Sequence, residues 1–198
     1  MSFLSTESFD KWIEDKFGKA KSPLTSGQKK EDAAQFKTIC RKLEHLAVDM
    51  QNQPDIYKDL KEENIRSKMK TPLNTIFEGR VSAEAKNCKG KTDILIKTKN
   101  GLNEHIFELK IWRGIKTLES AITQLNGYLG WHNNFCGIII FCYRQGFTNI
   151  LTEIHSYLLK NYEEIHRHKE SQFTFQMVHD KDNKKKIEIR LVLINLKC

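Results

Sequence analysis

The stretch Thr92 to Trp112, TDILIKTKNGLNEHIFELKIW, decides how the rest of the chain is read. Its two ends, Thr92 to Thr98 and His105 to Trp112, are rich in β-branched and aromatic residues, and Asn100-Gly101 between them is a hairpin turn signal. Two antiparallel strands are predicted. Their period of two puts Glu108 and Lys110 on one face of the second strand, with the apolar Phe107, Leu109 and Ile111 on the other. A hairpin turning at Asn100-Gly101 returns Glu108 alongside Asp93, so two carboxylates and an ammonium converge. Close carboxylates repel each other unless a divalent cation binds between them, which makes Asp93 and Glu108 candidate ligands for Mg²⁺ or Mn²⁺. Such a metal can lower the pKa of a water and neutralise charge developing on a phosphate, with Lys110 positioning the water or stabilising the same charge. Glu-x-Lys alone is commonly an exposed ion pair. Here the apolar opposite face, the aspartate on the preceding strand and the amphipathic helix that follows set it apart.

Working outward, Arg80 to Ala85 reads as a strand before this pair, completing an antiparallel meander. Leu118, Ala121, Ile122, Leu125 and Leu129 then give a helical period over residues 117 to 131. Cys136 to Tyr143 is a continuous apolar run that suits a strand buried on both faces. A helix over Thr148 to Tyr162 and two strands, Gln172 to Val178 and Lys186 to Leu196, follow, with a turn at Asp180-Lys181-Asp182-Asn183. Upstream, Phe9, Trp12, Ile13 and Phe17 trace a helix over residues 5 to 20, and Phe36, Ile39, Cys40, Leu43, Leu46 and Ala47 trace another from Glu31 to Met50. A third helix is expected over Asp59 to Phe77, bent or split at Thr71-Pro72. The division expected is a helical N-terminal segment, 1–55, and an α/β domain, 56–198.

A chain of 198 residues with 39% hydrophobic and 29% charged positions can bury one sizeable core. Its five cysteines are scattered, without zinc-site spacing, and are read as free thiols. With no membrane-length apolar run and no signal-peptide layout at the N-terminus, a cytoplasmic location without membrane attachment is expected. A net charge of +8 favours polyanionic partners without choosing among them.

The order Asp93, Glu108-Leu109-Lys110, then a helix bearing Gln124-Leu125-Asn126-Gly127-Tyr128 resembles the PD-(D/E)xK nuclease superfamily. Glu63-Asn64-Ile65-Arg66, Pro72-Leu73-Asn74, Phe77-Glu78-Gly79 and Gly90-Lys91-Thr92-Asp93-Ile94 look like nuclease domains of bacterial restriction and anti-phage proteins. The resemblance covers roughly residues 60 to 160. It implies a restriction-endonuclease-like core with a central mixed sheet flanked by helices, and hydrolysis of phosphodiester bonds with Mg²⁺ or Mn²⁺, DNA being favoured over RNA. Carried across, Asp93 and Glu108 bind metal and Lys110 is the catalytic lysine. Glu63, from a helix before the first core strand, and Glu84, on that strand, are alternatives for an additional acid, and Gln124 matches a polar position that points at the site. Thr92 stands where the family often has proline. Two-strand cutting would need two active centres, which a homodimer would supply.

Gly90-Lys91-Thr92 ends like a phosphate-binding P-loop, but Ala85 stands where that motif needs glycine and a strand follows where it needs a helix. His155, His166 and His168 lack cysteine or acidic partners at ligand spacing and read as solvated. Trp112 and Arg113, just beyond the Lys110 strand, are placed to stack on a base or grip a phosphate, while Trp112 equally suits the core, which is the reading favoured. A reading from a different class keeps the fold and makes the chain a nucleic-acid-binding or assembly module whose chemistry has lapsed.

Overall fold

The computed structural model describes residues 26–87, 90–98 and 104–197, leaving the side chains of residues 26, 28, 84–87 and 90–91 outside the description. The expected helix over residues 5 to 20 and the Asn100-Gly101 turn lie outside the described residues. The elements run α1 (Ser26–Asn52), a 3-10 turn (Pro54–Tyr57), α2 (Glu62–Ile76), β1 (Val81–Asn87), β2 (Gly90–Lys97), β3 (Glu104–Ile111), α3 (Ile115–Tyr128), β4 (Phe135–Cys142), α4 (Phe147–Asn161), β5 (Glu163–Lys169), β6 (Gln172–His179) and β7 (Asp182–Asn195). The seven strands form one mixed sheet in the order β1-β2-β3-β4-β7-β6-β5. The β3/β4 and β4/β7 pairs are parallel, and the other four are antiparallel. The chain is therefore α/β.

Alternation along the strands sorts the core into two layers. Leu95, Ile106, Ile138, Ile140, Leu191 and Leu193 face the apolar stripes of α3 and α4, which include Leu118, Leu125, Ile154 and Leu158. Their neighbours Ile94, Ile96, Phe107, Leu109, Ile139 and Phe141 face α1 and α2 through Phe36, Leu43, Met50, Ile65 and Leu73. The apolar run of β4 is buried on both faces between two parallel neighbours, and each fully buried Ile contributes roughly 1.5–3 kcal/mol. Gly137 lets β4 pass under the Phe107 ring; a Cβ there would lie 2.3 Å from two ring atoms.

All six apolar positions expected on the face of α1 are buried, and α1 joins the same core cluster as α2 and the sheet. Asp32 of α1 meets His105 of β3 at 3.4 Å, both almost fully buried, while Phe36 packs its ring 5.2 Å from the imidazole. The third helix begins at Glu62 and continues through Pro72 without being split. Met69 and Leu73, buried on either side of the proline, hold the helix against the sheet despite the lost backbone donor.

Two features differ from the sequence reading in the C-terminal third. Residues 163–169 form β5, an edge strand whose side chains are nearly all exposed, so charges occupy positions where alternation would otherwise be visible. The final hairpin turns tightly, with His179 paired to Asp182, and β7 therefore starts at Asp182 inside the expected turn. Among the described residues no helix is long and apolar enough to cross a membrane.

Candidate active site

The site forms where β3 leaves the sheet and turns into α3. Gly114, with φ of 128°, makes the turn, a backbone region that glycine enters without steric cost. Arg113 N–H donates to Thr117 Oγ1 at 3.0 Å and ties the loop to the first turn of the helix. Antiparallel pairing of Ile94 with Phe107 sets Asp93 beside β3, where Leu109 N–H donates to Asp93 Oδ2 at 2.9 Å. The expected convergence of Asp93, Glu108 and Lys110 is present in the structure. Lys110 Nζ lies 2.7 Å from Glu108 Oε1, on the same face, while Phe107 and Leu109 point into the opposite core layer.

Helix α2 completes the cluster. Glu62 Oε1 is 3.3 Å from Lys110 Nζ, and Glu62 Oε2 accepts the Ile111 N–H at 3.2 Å. Arg66, one turn further along, pairs through Nη1 with Asp93 Oδ1. Thus Glu62, rather than Glu63, meets the lysine; Glu63 is exposed and lines the adjoining cleft. Neither Glu62 nor Arg66 was assigned a role from the sequence. Both are charged residues in a run of polar ones at the start of α2, and only the packing of that helix against β3 distinguishes them.

Glu84 occupies the β1 position across from Asp93, between the pairs Ala83 with Ile94 and Ala85 with Thr92; its side chain lies outside the described residues. Gln124 is exposed and makes no hydrogen bond among the described residues. It stands on α3 between Ser120, which lines the cleft, and Tyr128, whose phenol is raised in pKa by burial and then by Glu108 and Asp93. Gln124 therefore shares the helical stripe that runs past the site. Trp112 is in the core, 4% exposed. His155 packs against Phe173, and His168 hydrogen-bonds Thr174 at 2.6 Å. Gly90-Lys91-Thr92 lies on β2, and a strand, not a helix, continues from it.

Burial pushes the Glu108 carboxyl up to about 7, the Lys110 hydrogen bond opposes this, and the negative charge of Asp93 adds to it. Burial acts to lower the Lys110 pKa, but Glu108, Glu62 and Asp93 outweigh it and hold the ammonium above its ordinary value. Lys110 is thus a cation at neutral pH, suited to orienting or stabilising charge and not to accepting a proton. A cleft of about 730 Å³ opens beside the cluster, lined by Lys61, Glu63, Arg66, Arg113, Lys116 and Ser120 among others.

Asp93 and Glu108 are the residues that could hold a hard cation. Glu108 Oε2 is buried with no hydrogen-bond partner among the described residues, the kind of orphaned acceptor that a cation satisfies. Among the described residues no three His, Cys, Asp or Glu side chains converge as a metal-binding group. A two-carboxylate donor set fits Mg²⁺, which keeps several waters and takes substrate phosphate oxygens as further ligands. The chain matches no protein-family model, no curated protein and no solved structure.

Proposed function

We propose that the chain is a metal-dependent nuclease with a restriction-endonuclease-like core, hydrolysing phosphodiester bonds in DNA, in restriction or anti-phage defence. The observation that carries this reading is the meeting of Asp93, Glu108 and Lys110 beside a cleft bordered by Lys61, Arg66, Arg113 and Lys116. A divalent ion held by Asp93 and Glu108 supplies Lewis-acid activation of water and neutralisation of phosphate charge. In the hydrolysis, a water oxygen forms a new bond to phosphorus and the bridging P–O bond breaks, giving a phosphomonoester and a hydroxyl.

The chain's own residues have separable tasks. Leu109 N–H fixes one oxygen of Asp93, and Glu62 gives Lys110 a second carboxylate partner besides Glu108. The Lys110 ammonium can then orient the attacking water or stabilise charge on the phosphate. Arg113 and Lys116 meet the flanking phosphates, contacts that position the strand without reading its bases. Asp93→Ala is expected to abolish cleavage while leaving nucleic-acid binding largely intact; cleavage persisting in that variant would remove Asp93 from the reaction.

A second reading, a nucleic-acid-binding or assembly module without chemistry, is favoured by one observation: Arg66 already neutralises Asp93 without a metal. The two readings separate on whether Mn²⁺ binds at Asp93 and Glu108, measured calorimetrically against Asp93→Ala. Lysine-dependent cleavage then distinguishes a working centre from a binding site.

A further inference from the structure

We infer that Arg66 is a resident counter-cation of Asp93 that a divalent ion displaces toward the phosphate of a bound nucleic acid, so that metal and nucleic acid bind cooperatively. This rests on the reading of the cleft as a metal-dependent nuclease centre. Arg66 lies one helical turn after Glu62 on α2, and its side chain, 14% exposed, lines the cleft while Nη1 pairs with Asp93 Oδ1. The other Asp93 oxygen is held at 2.9 Å by Leu109 N–H, a backbone group fixed in the sheet. Oδ1, held by a movable side chain and not by the sheet, is therefore the oxygen more readily given up to an incoming cation.

Glu108 has the complementary arrangement, with Oε1 on Lys110 and Oε2 buried without a partner among the described residues. A divalent ion bridging Asp93 and Glu108 would satisfy that orphan and would meet the guanidinium at Oδ1. The two cations repel and compete for one acceptor. Burial makes a bare Asp93 costly, so one of them has to stay, and the metal, with its higher charge and a second carboxylate to hold it in Glu108, is favoured. Arg66 is carried by a long side chain on the wall of a cleft that Lys61, Arg113 and Lys116 also line. Its planar fork matches a phosphate as well as it matches a carboxylate.

Linkage makes the coupling reciprocal: metal binding frees a phosphate-binding group, and a phosphate that holds the guanidinium frees Oδ1 for metal. The test uses the full chain, wild type beside Arg66→Gln and Arg66→Lys. Mn²⁺ affinity is measured by calorimetry without nucleic acid. Binding of a labelled DNA duplex is measured by fluorescence anisotropy in Ca²⁺ and in EDTA, so that neither readout requires turnover. Arg66→Gln is expected to bind Mn²⁺ about tenfold more tightly than wild type, within the usual range of coupling between sites. The gain in DNA affinity on adding Ca²⁺ is expected to shrink severalfold in the variant. Arg66→Lys, which keeps the charge and loses the fork, should lie between them, and it provides the same comparison if the glutamine variant does not fold. Unchanged or weaker Mn²⁺ affinity in both variants would overturn the displacement and leave the nuclease reading standing. No Mn²⁺ binding by any of the three proteins would overturn both.

Discussion

Glu108→Gln in the metal-free protein is expected to stabilise the fold at neutral and higher pH, by an amount set by the burial of this carboxyl. Glu108 is 2% exposed, and burial is the main cause of its rise from 4.5 to about 7. The same carboxyl in the unfolded chain ionises near 4.5, so through this window the folded protein retains a proton that the unfolded chain has lost. Stability therefore falls as pH rises from 4.5 to about 7, by about 1.4 kcal/mol per pH unit and about 3 kcal/mol in all. The ion pair with Lys110 is already included, because it pulls the carboxyl downward. Glutamine keeps the shape and cannot ionise. The variant should equal wild type near pH 4.5 and exceed it by about 3 kcal/mol above pH 7, roughly 6–12 °C in Tm for a chain of this length. Urea unfolding followed by circular dichroism in EDTA, across that pH range, measures the difference. A difference that does not change with pH, or a glutamine variant less stable than wild type above pH 7, would refute the reasoning. Saturating Mg²⁺ should abolish the advantage, since the ion stabilises the ionised carboxylate that only wild type has.

Further expectations follow from neighbouring geometry. Gly137→Ala places a Cβ 2.3 Å from the Phe107 ring and 3.2 Å from the Arg190 carbonyl oxygen, in a strand with no room to yield. Overpacking of this kind should lower stability by about 1–3 kcal/mol, read as a shift in the urea midpoint. Trp112→Ala removes a side chain buried in the α3/α4 layer and should cost about 3–5 kcal/mol in the same assay. Glu62→Gln loosens the second anchor of Lys110 and should lower kcat about tenfold with little change in KM, whereas a KM effect alone would place Glu62 in binding.

Legibility from the sequence followed the amount of buried periodic surface. The run Cys136 to Tyr143 could be read as a doubly buried strand because every residue from Cys136 to Cys142 is buried, and α3 because its apolar stripe faces a single layer. The meeting of Asp93 with Glu108 was legible because a short antiparallel connection fixes which residues stand side by side. β5 left no such trace: its residues Glu163 to Lys169 pair with β6 through a bulged register at the sheet edge and bury almost nothing. Glu62 and Arg66 were hidden for a related reason. Neighbouring charges on one turn, Glu62 and Glu63 among them, are equivalent until the helix is docked, and a rotation of about 100° per residue decides which one reaches Lys110. The insertion of β7 between β4 and β6 was also out of reach, since strand order across a sheet depends on contacts distant in sequence.

The most direct test of the nuclease assignment is cleavage of supercoiled plasmid, linear duplex, single-stranded DNA and RNA with Mg²⁺, Mn²⁺ or EDTA, comparing wild type with Lys110→Ala. The expected result is cutting of DNA in either metal, none in EDTA, and loss of cutting in the variant. Cutting that survives EDTA or the loss of Lys110 would contradict the assignment of the site, and no cutting of any substrate would contradict the nuclease itself.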